Sequence, residues 1–370
     1  MGKKIMILFT TLISLAMLVV VVIRLTPSFG ASATGERLER IQQSPNFKDG
    51  KFHNPVATAM QSKDMPFFKV MKEFFFTKGD RVPAKTIETI PIHPGDFHRQ
   101  TAEVKICWLG HSSLLIEIDG KVILTDPVFS ERVSPFSFLG TKAFPYSENY
   151  SWEKLPKIDL VLLSHDHYDH LDYQTIRSIE DQQLPFVTAL GVGAHLERWG
   201  ISPERITELD WWESWQFTET IRLTATPARH FSGRGLSNRF STLWASWVIA
   251  GSENRVFFGA DSGYYPGFKT IGDKYGPFDL ALLECGQYSQ YWPYIHMLPE
   301  EVIEAAADLQ AKSLLPIHWG KYKLSIHPWT EPVERLLEAN NDQNITLTTP
   351  QIGEVFELDN SLPNRKWWKE

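Results

Sequence analysis

The sequence predicts a mixed α/β fold built in layers, and three observations support this. Short runs rich in β-branched and aromatic residues recur from residue 104 onward, each bounded by Gly, Pro, Asp or Asn. Runs of this composition form strands. Helical patterns are fewer and lie between the strands, and no repeat of fixed period is present. Helices packed on sheets around one core are therefore expected.

The predicted strands follow one another through most of the chain. They cover 104–109, 113–119, 121–126, 159–165, 186–190, 221–229, 241–251, 255–261, 280–286, 313–318 and 345–350. Asp119 and Gly120 tolerate the positive φ of a tight turn, so they predict a hairpin between the second and third runs. Helices are predicted over 171–182, 299–312 and 331–340, and Pro299 suits the first turn of the second helix.

The N-terminus carries an uncharged apolar run over residues 5–23, preceded by Lys3 and Lys4. About 20 apolar residues suffice to cross the hydrocarbon core of a bilayer as a helix. The lysines would hold the N-terminus in the cytoplasm and place the rest of the chain on the non-cytoplasmic side. The alternative is a signal peptide cleaved near Ala31 and Ala33, which would give a secreted protein.

Three regions are expected along the chain. Residues 1–33 form the membrane anchor or signal segment. Residues 34–100 form an N-terminal arm, with a polar linker and extended stretch over 34–60 and an irregular proline-containing segment over 61–100. One large domain is expected over 101–360, because the strand-like runs begin there and the length suits a single core.

Composition excludes several classes of protein. Hydrophobic residues make up 43% of the chain, too many for an intrinsically disordered protein. Lys and Arg number 37 against 44 Asp and Glu, and this net charge of −7 argues against nucleic acid as a partner. Two cysteines, Cys107 and Cys285, cannot supply a thiolate zinc site or a disulfide framework.

A dense cluster of metal-binding residue types follows the predicted strand at 159–165. It reads HDHYDH over residues 165–170. Neutral imidazole and carboxylate are usual zinc ligands. A tight loop can direct His165 and His167 to one ion, and Asp169 and His170 to another.

Such a loop cannot complete two coordination shells alone. His230, Asp261 and His318 each follow an apolar strand-like run. Taken singly, each suits a structural role, because a strand-end histidine often bonds a carbonyl and an aspartate often forms a turn. Taken together, they supply the number and chemistry of ligands that the loop lacks.

At these residues the sequence resembles the metallo-β-lactamase superfamily, and within it the N-acylphosphatidylethanolamine-hydrolysing phospholipases D. The likeness covers roughly residues 50–350. The residues that carry it are FHNP (52–55), WLGH (108–111), LTDP (124–127), HDHYDHLD (165–172), ELDWWE (208–213), ARH (228–230), LWASW (243–247), GADSGY (259–264) and His296. The resemblance implies an αββα sandwich with a metal site at one edge of its two sheets, formed by the hydrolase domain over 101–360.

The resemblance also implies a role for each site residue. Two Zn²⁺ ions are implied, the first bound by His165, His167 and His230. The second would be bound by Asp169, His170 and His318, and Asp261 would bridge the two and act in catalysis. Asp126 would orient a ligand from outside the metal shell, the alternative being a simple Asp-Pro turn. His296 would position phosphate or protonate the leaving group, the alternative being a structural role; for His111 a structural role is expected.

The implied activity is zinc-dependent hydrolysis of a phosphodiester, in a phospholipid of the N-acylphosphatidylethanolamine type or another small phosphodiester. Hydrolysis of a lactone or other acyl ester at the same site is one alternative, and a non-catalytic, membrane-tethered metal-binding protein is another. A lipid substrate would need an apolar approach to the metals. Candidates are Phe74, Phe75, Phe76, Phe136, Phe138, Tyr146 and the tryptophan-rich stretches, although tryptophans also pack cores. The membrane partner would be reached through residues 5–23.

Overall fold

A computed structural model describes residues 2–63, 65–76, 79–97, 103–235, 237–340 and 345–370. Parts of the predicted arm (64, 77, 78 and 98–100) and of the predicted large domain (101, 102, 236 and 341–344) lie outside the described residues. Two seven-stranded sheets form the body of the protein. Buried side chains from both sheets join in one hydrophobic core.

The first sheet has the strand order β10-β9-β8-β5-β4-β3-β18. Strands β3 to β5 pair antiparallel, whereas β5, β8, β9 and β10 run parallel. Asp119 and Gly120 join β4 to β5 with φ values of 48° and 69°, which is the predicted hairpin turn. The strands are β3 (Lys105–Trp108), β4 (Leu114–Ile118), β5 (Lys121–Thr125), β8 (Leu160–Leu163), β9 (Phe186–Ala189), β10 (Ile206–Leu209) and β18 (Val355–Glu357).

The second sheet has the order β11-β12-β13-β14-β15-β16-β17. Its first four strands pair antiparallel and its last four pair parallel, so β14 belongs to both halves. The strands are β11 (Ser214–Gln216), β12 (Arg222–Thr226), β13 (Ser246–Ala250), β14 (Arg255–Ala260), β15 (Phe278–Glu284), β16 (Ala311–Ile317) and β17 (Thr346–Leu347). Two small sheets pair β1 (Phe47–Lys48) with β2 (Lys51–Phe52), and β6 (Arg132–Val133) with β7 (Thr141–Lys142).

Helices cover the outer faces of the two sheets. Helix α5 contacts β10 of the first sheet, and α7 contacts β15 and β16 of the second, with α6 and α8 packed against α7. This arrangement confirms the αββα sandwich. The helices are α1 (Gly2–Leu25), α2 (Gly35–Gln43), α3 (Phe67–Phe76), α4 (Tyr173–Ser178), α5 (Gly193–Arg198), α6 (Gly267–Tyr275), α7 (Pro299–Asp308) and α8 (Glu331–Ala339).

The N-terminal region is more regular than the sequence predicts. The predicted linker at 34–60 contains α2, which Arg37 anchors through bonds of 2.6 Å to Glu197 and 2.5 Å to Glu208. The predicted irregular segment at 61–100 contains α3. Local periodicity could not reveal α2, because distant glutamates hold it in place. Helix α1 is apolar, lies outside the packed body and is long enough to cross a membrane.

Several predicted element boundaries are wrong. The predicted helix at 299–312 ends at Asp308, because Gln310 adopts a φ of 56° that stops the helix before β16 begins. The predicted strand at 241–251 begins only at Ser246, and the one at 345–350 is reduced to β17. Helices α5 and α6 and strands β10, β11 and β18 were not predicted.

The tryptophans mainly pack the core, which is one of the two roles that the sequence allowed for them. Trp108, Trp199, Trp244, Trp247 and Trp319 are among the largest fully buried side chains. Tyr146, predicted for the apolar approach, is also buried, and its hydroxyl donates to the Gly320 carbonyl at 2.9 Å. That prediction was wrong for Tyr146, because a phenol with its hydroxyl satisfied inside the fold has no surface to offer a lipid.

Candidate metal centre

The strand-end residues singled out in the sequence meet at one edge of the two sheets. The HDHYDH loop follows β8 of the first sheet. His230, Asp261 and His318 follow β12, β14 and β16 of the second sheet. Residues up to 153 positions apart in the chain therefore converge because the sandwich brings these strand ends together. The structure places all seven predicted ligands in two adjoining groups.

The first group contains His165, His167, His230 and Asp261. Nδ1 of His167 lies 2.9 Å from Nε2 of His165 and 3.2 Å from Nε2 of His230. Oδ2 of Asp261 lies 3.6 Å from Nε2 of His230 and 3.9 Å from Nε2 of His165. Three imidazoles and one carboxylate oxygen thus face a common point.

The second group contains Asp169, His170 and His318, together with His111. Oδ2 of Asp169 lies 3.6 Å from Nε2 of His170. The other oxygen of Asp261, Oδ1, lies 3.1 Å from Nε2 of His170 and 3.0 Å from Nδ1 of His318. Asp261 therefore stands between the two groups and presents one carboxylate oxygen to each.

Unpartnered atoms in this pocket show that the residues fit a cation. Among the described residues, Nε2 of His170, Oδ1 of Asp261 and Nε2 of His318 are buried and have no hydrogen-bond partner. Leaving a buried polar atom without a partner costs about 1–3 kcal/mol. A bound cation would satisfy Nε2 of His170 and Oδ1 of Asp261, and the oxygen and nitrogen donors suit Zn²⁺ and related ions.

Burial keeps most of the imidazoles neutral, and the neutral ring is the form that binds metals. It lowers the pKa values of His165, His230 and His318 well below the ordinary value, and neighbouring histidines lower them further. Burial also lowers the pKa of His167 to about 4. These four rings are neutral at pH 7 and have a nitrogen lone pair to offer.

The pKa values of His170 and Asp261 shift differently, because these two side chains face each other. Burial opposes the charged form of His170, but Asp261, Asp169 and Asp126 together raise its pKa well above the ordinary value. Burial raises the pKa of Asp261 to about 6, although His170 opposes this. The pair carries a proton that a cation would displace, since metal ligands must be deprotonated.

Asp126 holds His170 from outside the ligand groups. Its Oδ2 accepts from Nδ1 of His170 at 2.7 Å and from the Ser164 hydroxyl at 2.6 Å, and its Oδ1 accepts from the Ser164 amide at 2.8 Å. This fixes the ring so that Nε2 faces Asp261. The ligand-orienting role that the sequence resemblance implied for Asp126 stays a prediction, and these hydrogen bonds are the contacts that it requires.

The Asp126→Asn variant is expected to bind metal 10- to 100-fold more weakly, on the order found when such outer partners are removed. An amide nitrogen in place of Oδ2 cannot accept from His170 or Ser164, so the ring loses its fixed orientation. Competition with a chromophoric chelator measures the affinity. The exposed Asp49→Asn variant is the control, and equal affinities in the two variants would contradict the orienting role.

Two residues of the site were not recognised from the sequence. His111, expected to be structural, lies in the second group, with Nε2 2.9 Å from Oδ2 of Asp169 and its ring 4.0 Å from the ring of His318. Glu284 lies 2.6 Å from Nδ1 of His296. A glutamate that ends the apolar run LALLE was the available signal for Glu284, because a buried carboxylate needs a partner.

Residues that directly follow α1 brace the HDHYDH loop. The Ala31 amide donates to Nδ1 of His195 at 2.9 Å, and Nε2 of His195 lies 3.2 Å from Asp166 inside the loop. Arg234 donates to the Ser28 carbonyl at 2.9 Å and to the Asp166 carbonyl at 2.6 Å. The segment after the apolar helix is thus hydrogen-bonded to the loop through His195 and Arg234.

Comparison with known proteins identifies the family. A sequence model of the Beta-lactamase superfamily domain matches residues 121–319, which is more than half of the chain and includes all seven predicted metal ligands. The chain belongs to this superfamily. Its fold and its expected metal-dependent hydrolase activity are those of the superfamily, as the resemblance implied.

Superfamily relatives extend over most of the chain. An uncharacterized protein of Mycobacterium tuberculosis is 41% identical over 350 residues, covering 93% of this chain and 92% of that protein. N-acyl-phosphatidylethanolamine-hydrolyzing phospholipase D 1 of Caenorhabditis elegans is 34% identical over 288 residues, covering 73% of this chain and 80% of that enzyme. A solved metallo hydrolase of Ignicoccus hospitalis shares the fold, with a TM-score of 0.53 at 19% identity over 69% of this chain and 98% of that one.

Proposed function

We propose that the protein is a zinc-dependent phosphodiesterase that binds two Zn²⁺ ions and cleaves a phospholipid of the N-acylphosphatidylethanolamine type. The observation that carries the proposal is the position of Asp261, whose Oδ2 faces one group of predicted ligands while Oδ1 faces the other. The similarity to the Caenorhabditis elegans enzyme supports the choice of substrate. In this proposal His165, His167 and His230 bind one ion, and Asp169, His170 and His318 bind the other.

The metal pair would supply Lewis acidity that activates water and offsets negative charge on the phosphoryl oxygens. Residues of the chain would orient the ligands and supply the proton for the leaving group. Asp126, and the Ile295 carbonyl that lies 2.8 Å from Nδ1 of His230, hold ligand rings in fixed orientations. His296 lies beside both groups, with its ring 5.1 Å from that of His230 and 5.2 Å from that of His318. It is the group best placed to give a proton to the leaving oxygen.

An exposed apolar surface supports a lipid substrate. On α3, Phe68 and Phe76 are 87% and 78% exposed, and Phe138 on the loop between β6 and β7 is 78% exposed. Lys323 joins the two elements, because its ammonium lies 5.2 Å from the Phe74 ring and its carbonyl accepts from Thr141. Exposed apolar patches of this kind mark interaction sites for lipids or proteins.

The same loop connects this surface to the apolar helix. Phe29, four residues after α1, packs on Phe136 with ring centroids 5.9 Å apart, and Phe136 packs on Phe138 at 5.6 Å. We propose that α1 stays attached as a membrane anchor and that the hydrolase body lies on the non-cytoplasmic side. Cleavage near Ala31 and Ala33, the alternative, would remove the Ser28 and Ala31 contacts that brace the metal loop.

A substrate screen on zinc-loaded protein tests the function. We expect N-acylphosphatidylethanolamine to yield phosphatidic acid and an N-acylethanolamine, with the exposed Asp273→Asn variant as active as the wild type. Lactone opening without phosphodiester cleavage would replace the proposal with the acyl-ester alternative. Bound metal without turnover of either substrate class would favour the non-catalytic protein.

A further inference from the structure

We infer that Glu284 is a positioning residue that fixes His296 for proton transfer to the leaving group. This inference rests on the proposed function, since it assigns the device that completes phosphodiester cleavage at the same site. Glu284 is not among the predicted ligands, although its carboxylate lies within 4.8 Å of ligand-type atoms of Asp261, His296 and His318. Glu284 ends β15, at the edge of the second sheet where β14 and β16 present Asp261 and His318.

The contacts of Glu284 hold it rigidly. Its side chain is fully buried, and Oε2 lies 2.6 Å from Nδ1 of His296. The other oxygen, Oε1, accepts from the backbone amide of Ser262 at 2.7 Å, directly after Asp261. One carboxylate thus bonds both the peptide that follows Asp261 and the imidazole of His296. It fixes the position of each relative to the other.

These contacts determine which atom of His296 is available to the substrate. Nδ1 shares a proton with Glu284, whichever of the two atoms holds it. The second ring nitrogen, Nε2, is therefore the atom that can exchange a proton with a substrate oxygen. The His296 side chain is 11% exposed whereas that of Glu284 is 0% exposed, so the imidazole is the member of the pair that has accessible surface.

Cleavage of the phosphodiester transfers one proton from His296 to the leaving alcohol. The oxygen of the attacking water forms a bond to phosphorus while the bond between phosphorus and the alcohol oxygen breaks. The electron pair of that bond stays on the alcohol oxygen, which takes the proton from Nε2 of His296. A proton of the attacking water then restores Nε2–H, giving a phosphomonoester and an alcohol. Glu284 ends the cycle unchanged.

Leaving-group dependence distinguishes this role from a structural one. The Glu284→Gln variant is expected to lose about 10²-fold or more in kcat on an alkyl phosphodiester, the scale of general acid catalysis. On a p-nitrophenyl phosphodiester the loss should be less than about 3-fold, because that leaving group needs little protonation. KM and zinc content should be unchanged. Glu301→Gln, which alters a glutamate that bonds the Leu298 amide at the start of α7, is the matched control.

Several outcomes of the kinetic comparison would contradict the positioning role of Glu284. Equal losses on both diesters, or loss of zinc, would make Glu284 a structural support and overturn the inference. Full activity on both diesters would also overturn it.

A measurement independent of turnover is the ¹⁵N spectrum of histidine-labelled zinc protein, with the His296 signals assigned from a His296→Gln variant. We expect a strongly hydrogen-bonded Nδ1 that is lost in Glu284→Ala, and an unchanged Nδ1 signal would overturn the pair. Failure of the wild type on both diesters with this signal present would refute the phosphodiesterase function while leaving the Glu284–His296 pair in place.

Discussion

The Asp261→Asn variant is expected to lose about 10²–10³-fold or more of its hydrolytic activity, on the scale seen when one preorganised electrostatic group is removed from an active site. It should also bind fewer than two zinc ions. Asn offers one oxygen where Asp261 presents Oδ1 toward His170 and His318 and Oδ2 toward His165 and His230. Kinetics and zinc analysis of the same preparation measure both effects.

The control for this variant is Asp273→Asn, which makes the same chemical change on exposed α6, where Asp273 pairs with Lys269 at 3.0 Å. It should keep two zinc ions and wild-type activity. An Asp261→Asn protein with both ions and full activity would show that Asp261 does not bridge.

Removal of residues 2–33 is expected to destabilise the protein by about 3 kcal/mol or more, whereas removal of residues 2–23 alone should leave the stability unchanged. The longer deletion takes away the partners of His195, Trp199 and Arg234, namely the Ala31 amide and the Pro27 and Ser28 carbonyls. A lost partner for a buried polar group costs about 1–3 kcal/mol. Denaturant unfolding of the zinc-loaded proteins measures the difference.

A pair of glycine substitutions tests the same contact without a deletion. Gly30 and Gly35 both have positive φ, of 74° and 56°. A Cβ on Gly30 would lie 1.9 Å from Nδ1 of His195, whereas one on Gly35 meets nothing within 4 Å. Gly30→Ala should therefore destabilise more than Gly35→Ala by about 1–3 kcal/mol, the usual cost of overpacking. Equal stabilities would mean that the segment does not brace the metal loop.

The fold class and the ligand cluster could be predicted because their signals are local. Strand-like runs bounded by turn residues are visible in short windows, and HDHYDH places four of the predicted ligands within six positions. His230, Asp261 and His318 were found for a related reason, since each directly follows an apolar strand. Helix α2 and the Ser28 and Ala31 contacts could not be found, because the partners of this segment lie about 160 to 200 residues away.

His111 and Glu284 were missed for a different physical reason. A single histidine after WLG, or a single glutamate at a strand end, has no local pattern that separates a functional role from a structural one. Their positions depend on neighbouring strands of the folded sandwich, which bring His111 beside His318 and Glu284 beside His296. Boundary errors such as the early end of α7 have a simpler cause, because the left-handed turn at Gln310 carries no glycine to mark it.

Anomalous diffraction from a zinc-loaded crystal tests the central claim most directly. We expect two zinc peaks on either side of Asp261, one bound by His165, His167 and His230. The other should be bound by Asp169, His170 and His318, with His111 bound to Asp169 and not to the ion. A single peak, or a zinc ion that contacts neither oxygen of Asp261, would contradict the dinuclear centre.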